Sequence, residues 1–245
     1  MNVGKAARAH RFVTRAILID LDGTLVETVP DLAAAVNGMR ADAGLPDLPN
    51  SAVAAYVGKG AGVLVRRALS GSMDGELSPD QLARGLESFR RHYTEHNGRQ
   101  SFAFAGTADA LRTWRAAGLK LACVTNKPNE FTHALLEKLG LHELFDVIVG
   151  GDDPQQKKPH PEPLLLACRK LGVAPADAVV IGDSINDLEA GRAAGCRVIL
   201  VETGYNEGAP VSNLGADAIF PSLADATDLI GVIDGSSERT DRLTQ

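Results

Sequence analysis

The stretch Ala16-Ile17-Leu18-Ile19-Asp20-Leu21-Asp22-Gly23-Thr24 places two carboxylates directly after a short apolar run. Four consecutive apolar residues predict a buried strand, and the glycine after the second aspartate predicts a tight turn at its end. Carboxylates are costly to bury unless they are paired or bind a metal. The pair therefore suggests a divalent cation and a nucleophile held together at the mouth of a strand, although many Asp-x-Asp-Gly loops are ordinary turns.

Short apolar runs alternate with helical patterns from Gly106 onward. The predicted strands are residues 119–124, 147–149, 178–181 and 198–201, with 218–220 as a further candidate. The predicted helices are residues 109–117, 130–139, 164–171 and 188–194. Strands that alternate with helices of this length predict right-handed βαβ units and a parallel sheet covered on both faces. The predicted fold class is therefore α/β, with a Rossmann-like parallel sheet as its core.

Residues 28–100 show a different pattern, with helical stretches and no clear strand. The helical spacing covers residues 31–43, 61–69 and 80–95. We interpret this block as an all-helical cap inserted into the core, with the core itself formed by residues 15–27 and 101–233. Polar composition predicts flexible segments at residues 1–14 and 234–245.

Composition excludes several classes of protein. The chain of 245 residues carries a net charge of −6, which argues against general nucleic-acid binding and against a basic membrane surface. No apolar run approaches the ~20 residues needed to span a bilayer. The basic N-terminal stretch suggests a frayed terminus, with a transit peptide or a nucleic-acid arm as alternatives.

The cysteines predict neither a zinc site nor a disulfide pattern. Cys123, Cys168 and Cys196 share no zinc-type spacing, and each lies in an apolar segment. Such cysteines usually behave as small buried core residues. Unpaired cysteines are typical of a reducing compartment, so we expect a cytoplasmic protein.

Polar side chains follow each predicted strand, where the ligands of open parallel sheets bind. Beyond the first pair of aspartates they are Thr125, Asn126 and Lys127, then Lys158, and finally Asp183 and Asp187. Taken singly, each has an ordinary explanation as a helix cap, a solvated lysine or a charge in the first turn of a helix. Together they supply the carboxylates, hydroxyl and ammonium that phosphoryl transfer with Mg²⁺ requires.

In this order the four motifs resemble those of the haloacid dehalogenase-type phosphohydrolase superfamily, from about residue 17 to residue 230. Within it the chain is most similar to the bacterial phosphoglycolate phosphatase family, through Pro30-Asp31-Leu32, Val57-Gly58-Lys59-Gly60, Thr125-Asn126-Lys127-Pro128, Gly150-Gly151-Asp152 and Lys158-Pro159-His160-Pro161. One departure is Glu27-Thr28, where such proteins usually carry Asp-Ser or Asp-Thr. Glu27 lies at the expected cap hinge, so we expect the change to affect closure of the cap more than the chemistry of the site.

The resemblance implies a role for each motif residue. Asp20 would be the nucleophile, and Asp22 the general acid and base. Thr125 and Lys158 would hold the non-bridging phosphate oxygens. The implied Mg²⁺ ligands are the Asp20 side chain, the Asp22 backbone carbonyl and Asp183, with Asp187 orienting them.

The resemblance also implies a small phosphorylated substrate, 2-phosphoglycolate, with Asn126, Lys59 and Gly60 added to its binding residues. Lys59 and Gly60 precede a predicted helix, whose free N–H groups bind anions, although a glycine-rich loop with an exposed lysine is also common. The alternatives are a sugar-phosphate phosphatase, a phosphomutase, a phosphonatase that uses Lys59 as a Schiff base, or a catalytically silent domain of the same fold. We expect a monomer or a homodimer, with no nucleic-acid or membrane partner.

Overall fold

A six-stranded parallel sheet organises the core. The computed structural model describes residues 12–233. Its strands are β1 (Phe12–Thr14), β2 (Ala16–Ile19), β3 (Val26–Glu27), β4 (Phe102–Ala103), β5 (Lys120–Val124), β6 (Val147–Val149), β7 (Ala178–Gly182), β8 (Arg197–Val201), β9 (Ala218–Phe220) and β10 (Ile230–Val232). The sheet runs in the order β6-β5-β2-β7-β8-β9, and every neighbouring pair is parallel. The predicted fold class is confirmed.

Helices cover both faces of this sheet and form the block between β3 and β4. They are α1 (Val29–Asp42), α2 (Asn50–Tyr56), α3 (Ala61–Ser70), α4 (Pro79–His96), α5 (Thr107–Ala116), α6 (Asn129–Lys138), α7 (Glu162–Leu171), α8 (Ile185–Ala194) and α9 (Leu223–Ala226). The core helices α5 to α8 lie close to the predicted positions. The sequence pattern did not predict α2, because its seven residues are too short for a clear period.

Alternate residues of each central strand face opposite layers of the core. In β2, Ile17 and Ile19 pack with Leu111 and Leu135 of α5 and α6. The intervening Leu18 belongs to the other layer, which includes residues of α7 and α8. The whole strand is buried, as its continuous apolar run predicts for a sheet covered on both sides.

The strand β2 lies at the centre of the sheet, paired with β5 on one side and β7 on the other. Its hydrogen bonding continues past its last residue, because the backbone N–H of Asp20 donates to the Ile181 carbonyl at 2.9 Å. The first motif aspartate is therefore fixed at the carboxyl end of the sheet, beside the ends of two neighbouring strands.

The helices α1 to α4 form a separate apolar cluster. Leu32, Met39, Val65 and Phe89 are among its buried members, and Phe131 of α6 joins it from the core side. The two connections between this helical block and the sheet pair with each other as the short antiparallel strands β3 and β4. We retain the division into a core and a cap as our interpretation of this arrangement, and "cap" below means residues 28–100.

A buried carboxylate joins the start of the cap to its end. Asp31 in the first turn of α1 is fully buried. Its oxygens accept hydrogen bonds from the backbone N–H groups of Gly98, Arg99, Gln100 and Ser101 and from the Ser101 hydroxyl. Because all these donors lie in the segment that leads back to the core, Asp31 fixes the geometry of the cap hinge.

The structure corrects one predicted boundary and leaves others outside its range. Residues 12–14 form β1, which pairs in parallel with β10, so they are not part of a flexible extension. Residues 1–11 and 234–245, predicted to be flexible, lie outside the described residues. All three cysteines are buried and free, as predicted. No described helix is both long and apolar enough to cross a bilayer.

We expect Asp31→Asn to lower the free energy of unfolding by about 3 kcal/mol, since a buried carboxylate with several charge-assisted hydrogen bonds is replaced by a group that cannot accept them all. Chemical denaturation measures this loss. The matched control is Asp109→Asn, because that side chain is 86% exposed and changes only a surface charge. Equal stability of the two variants would contradict the hinge role.

Candidate active site

The ammonium of Lys158 lies at the centre of the site. It donates to Asp20 Oδ1, Asp187 Oδ1 and the Val124 carbonyl, each at 2.7 Å. Lysine has three N–H donors, so the cation is fully satisfied although its side chain is only 4% exposed. Burial opposes the charge, but Asp187 and Asp20 together hold the pKa of Lys158 above its ordinary value. The lysine therefore fixes two of the predicted carboxylates at once.

The carboxylate of Asp183 lies against the turn of the first motif. Its Oδ1 accepts a hydrogen bond from the Thr24 hydroxyl at 2.9 Å, and its Oδ2 accepts one from the Tyr205 backbone N–H at 2.9 Å. Gly23 has a φ of +88°, and a Cβ there would lie 2.7 Å from Asp183 Oδ2. Glycine is thus required both by the turn and by the space that the carboxylate occupies.

Asp187, in the first turn of α8, is held by both of its oxygens. One accepts from Lys158, and the other accepts from the Ser184 hydroxyl at 2.7 Å. A Cβ on Gly182 would collide with this carboxylate, so the glycine at the end of β7 makes room for it. These contacts fix both oxygens of the Asp187 carboxylate beside Lys158 and the end of β7.

Three carboxylates converge on a place where a cation fits. One oxygen each from Asp20, Asp183 and Asp187 lies within 4.8 Å of the others. The donor set is oxygen only, which hard divalent cations such as Mg²⁺ prefer. The group does not include the Asp22 side chain, and the contribution of the Asp22 backbone carbonyl stays a prediction. The residues present therefore fit a divalent metal ion.

The protonation of these carboxylates reflects the same crowding. Burial, opposed by Lys158, raises the pKa of Asp20 to about 7, and the neighbouring Asp187 and Asp22 contribute. Burial together with Asp20 and Asp187 also raises the pKa of Asp183 well above its ordinary value. One lysine does not neutralise three carboxylates, so a bound divalent cation would relieve the repulsion that remains.

The segment after β5 contributes Thr125 and Asn126 to the site, each through different contacts. The Thr125 hydroxyl lies at the strand end and accepts from the Lys127 backbone N–H at 3.2 Å. The Asn126 amide donates to the carbonyls of Gly58 and Lys158 and accepts from the Lys158 N–H. Asn126 therefore positions Lys158 and joins it to the cap, since these backbone contacts engage both ends of its amide.

Lys127 belongs to the motif that follows β5, but the motif alone indicates no role for it. Its ammonium lies 2.9 Å from Asp22 Oδ1, and its side chain is 3% exposed. Burial opposes the charge, but Asp22 and Tyr93 hold the pKa of Lys127 above its ordinary value. The signal that could have found it is its place, since Lys127 directly follows Thr125 and Asn126 in the loop at the carboxyl end of β5, where the other site residues lie.

A small cavity separates the core from the cap. Its volume is about 50 Å³, and its lining includes Asp20, Asp22, Thr125 and Gly60. Gly60 has a φ of +83° and precedes α3, whose N-terminus therefore meets the cavity. By contrast, Lys59 pairs with Glu207 of the core at 2.8 Å and is not among the lining residues.

The cap hinge contains the departure noted in the sequence. Glu27 Oε1 accepts from the Val29 N–H at 3.0 Å and from the Tyr205 hydroxyl at 2.7 Å. The same hydroxyl accepts from the Thr28 N–H. The longer glutamate therefore reaches a tyrosine of the core loop and ties the hinge to it.

The comparisons with known proteins agree with this geometry. The family model for haloacid dehalogenase-like hydrolases matches residues 14–195. The chain belongs to this family. A curated relative, "Phosphoglycolate phosphatase" of Thiobacillus denitrificans, is 46% identical over 216 residues, which cover 88% of this chain and 95% of the relative.

Two solved structures of similar fold are also informative. A predicted phosphoglycolate phosphatase from Haemophilus somnus superposes with a TM-score of 0.81 at 35% identity, covering 86% of this chain and 96% of that one. CbbY from Rhodobacter sphaeroides, in complex with phosphate, superposes with a TM-score of 0.74 at 28% identity. The match covers 89% of this chain and 100% of that one. The predicted membership of the haloacid dehalogenase-like hydrolases is thereby confirmed.

We expect the metal-free protein to lose stability, relative to an Asp20→Asn variant, as pH rises from 5 to 8. The raised pKa means that the folded state holds a proton that the unfolded state has released, so stability falls until the pH passes about 7. The difference in the free energy of unfolding between the wild-type protein and Asp20→Asn should change by about 2 kcal/mol between pH 5 and pH 8. Urea denaturation in EDTA at both pH values measures it, and parallel pH dependences would contradict the raised pKa.

Proposed function

We propose that this chain is a Mg²⁺-dependent phosphatase that hydrolyses 2-phosphoglycolate to glycolate and inorganic phosphate. The observation that carries the proposal is the constellation of half-buried Asp20 and Asp22 with buried Lys158 and Asp183 at the carboxyl end of the sheet. The substrate is supported by the name of a relative that is 46% identical over most of both chains.

The reaction we propose has two displacements at phosphorus. Asp20 attacks the phosphorus in line, the bond to the leaving oxygen breaks, and Asp22 gives that oxygen a proton. Asp22 then removes a proton from a water molecule, which attacks the phosphorus of the aspartyl-phosphate. Inorganic phosphate leaves and Asp20 is restored.

Asp20, Asp183 and the backbone carbonyl of Asp22 would hold the metal ion, with Asp187 orienting them. When bound, Mg²⁺ neutralises charge on the phosphoryl oxygens. Lys158 offsets the repulsion between Asp20 and an anionic substrate. With the Thr125 hydroxyl it would hold the non-bridging oxygens by exchanging one of its three present acceptors for the phosphoryl group. Asn126 contributes by holding Lys158, and Gly60 by letting the α3 N-terminus approach the cavity.

The size of the cavity favours a small leaving group. At about 50 Å³ with the cap in this position, it leaves little room beyond a phosphoryl group, which favours a two-carbon leaving group over a sugar. The phosphonatase alternative required Lys59 to face the substrate, and the pairing of Lys59 with Glu207 gives it no support. The cytoplasmic location and the monomeric or dimeric state remain predictions.

We expect kcat/KM for 2-phosphoglycolate to exceed that for hexose, pentose and β-glucose phosphates at least tenfold, or about 1.4 kcal/mol of transition-state discrimination. Phosphate release with Mg²⁺ measures it across the panel. Asp20→Asn should abolish turnover while circular dichroism remains native. A sugar phosphate as the preferred substrate, or an active Asp20→Asn variant, would overturn the proposal.

We expect Lys59→Ala to raise KM for 2-phosphoglycolate by a small factor, about two- to fivefold, because it breaks one partly exposed ion pair between cap and core. Glu207→Gln should raise KM at least as much, because Glu207 also pairs with the buried Arg67 of the cap at 2.7 Å. The double variant should be no worse than Glu207→Gln alone, because that variant already removes the partner of Lys59. A much larger effect of Lys59→Ala, with Glu207→Gln like wild type, would show instead that Lys59 contacts the substrate.

A further inference from the structure

The cavity between cap and core is lined by a tyrosine whose buried hydroxyl has no hydrogen-bond partner among the described residues. Tyr93 of α4 is 1% exposed, and its ring is one of the walls of the cavity. Its hydroxyl oxygen has no partner in hydrogen-bonding geometry among the described residues, and the Lys127 ammonium lies close enough to interact with it electrostatically. A buried, unsatisfied polar group costs stability, commonly about 1–3 kcal/mol. Such a group in a ligand cavity therefore suggests a partner that arrives with the ligand.

The packing around Tyr93 fixes the ring rather than the hydroxyl. Its ring stacks on Phe89 with centroids 5.3 Å apart and meets Phe131 edge-on at 4.7 Å. These contacts hold the side chain between the cap and α6. A phenylalanine would make the same contacts, so the packing does not account for the hydroxyl.

The cavity also presents one cation beside that tyrosine. Lys127 is the single basic side chain among the described residues that line it. Its ammonium lies 4.8 Å from the centre of the Tyr93 ring and 2.9 Å from Asp22 Oδ1. Only one of its three N–H donors is needed for Asp22, so the others remain available to a ligand.

The position of Asp22 shows how Tyr93 and Lys127 lie relative to the leaving group. In the proposed reaction Asp22 protonates the leaving oxygen, so whatever that oxygen carries lies beside Asp22 and hence beside Lys127. In 2-phosphoglycolate the nearest carboxylate oxygen is three covalent bonds from the leaving oxygen. An anion at that place meets an ammonium and a neutral hydroxyl, since burial raises the pKa of Tyr93 to about 12.

We propose that the Tyr93 hydroxyl and the Lys127 ammonium form the subsite that selects leaving groups carrying a carboxylate. This assignment rests on the proposed function and places the carboxylate on the boundary of cap and core, not at Lys59. Tyr93 donates a charge-assisted hydrogen bond, and Lys127 supplies the balancing charge. Because Tyr93 comes from the cap and Lys127 from the core, the subsite is complete only when the cap is closed.

The test compares 2-phosphoglycolate with ethyl phosphate, which has the same two-carbon leaving group without the carboxylate. For Tyr93→Phe we expect the ratio of the two kcat/KM values to fall about tenfold or more, the loss of one hydrogen bond to a charged group. Lys127→Met should lower the same ratio. Tyr56→Phe is the matched control, because Tyr56 lies in the same apolar cluster but does not line the cavity.

Binding measurements keep the test decisive if turnover of ethyl phosphate is too slow. By isothermal titration calorimetry in the Asp20→Asn background, Tyr93→Phe should weaken binding of 2-phosphoglycolate and leave that of inorganic phosphate unchanged. Thermal unfolding supplies a separate readout. Loss of an unpaired hydroxyl should leave the melting temperature of Tyr93→Phe equal to or above that of wild type, whereas a structural hydroxyl would lower it.

The outcomes separate the two proposals. An unchanged substrate ratio in Tyr93→Phe, with wild type still selective for 2-phosphoglycolate, would overturn the subsite and leave the proposed function standing. Failure of the wild-type protein to hydrolyse 2-phosphoglycolate, with another phosphate ester turned over, would overturn the proposed function and the subsite together.

Discussion

The buried ammonium of Lys158 is the contact on which the site depends. Without it, Asp20 and Asp187 would be two adjacent carboxylates with no cation between them, and the pKa of Asp20, already about 7, would rise further or the two groups would move apart. With it, both are fixed at 2.7 Å from one cation that is also anchored to the Val124 carbonyl. The resulting set of oxygens is crowded but ordered, as a site for a divalent cation must be.

Glycines allow this crowding at the ends of the strands. Gly23 and Gly182 each stand where a Cβ would meet a motif carboxylate, that of Asp183 or Asp187. The first-motif turn and the end of β7 are therefore constrained by the charges they surround as well as by their own backbone geometry. The cap encloses the site from the other side. Asn126 links cap and core, because its amide donates to the carbonyls of Gly58 in the cap and Lys158 in the core.

Much of this arrangement was predictable from local pattern. Continuous apolar runs predict the central strands. Because the carboxyl ends of parallel strands lie at the same edge of a sheet, they also predict that Asp20, Lys158 and Asp183 lie close together. The rest depends on contacts distant in sequence. Nothing in the sequence near Lys59 indicates its pairing with Glu207, 148 positions away. Likewise, the placement of Tyr93 in the cavity depends on how the cap closes over Lys127, which no local pattern specifies.

The proposed mechanism depends most directly on Asp20 as the nucleophile. Rapid quenching of a reaction with 2-phosphoglycolate, followed by borohydride reduction and mass spectrometry, identifies a phosphorylated aspartate by its conversion to homoserine. We predict that the reduced residue is Asp20, in the tryptic peptide of residues 16–40. Modification of another residue, or turnover with no modified peptide in the pre-steady-state samples, would contradict the account.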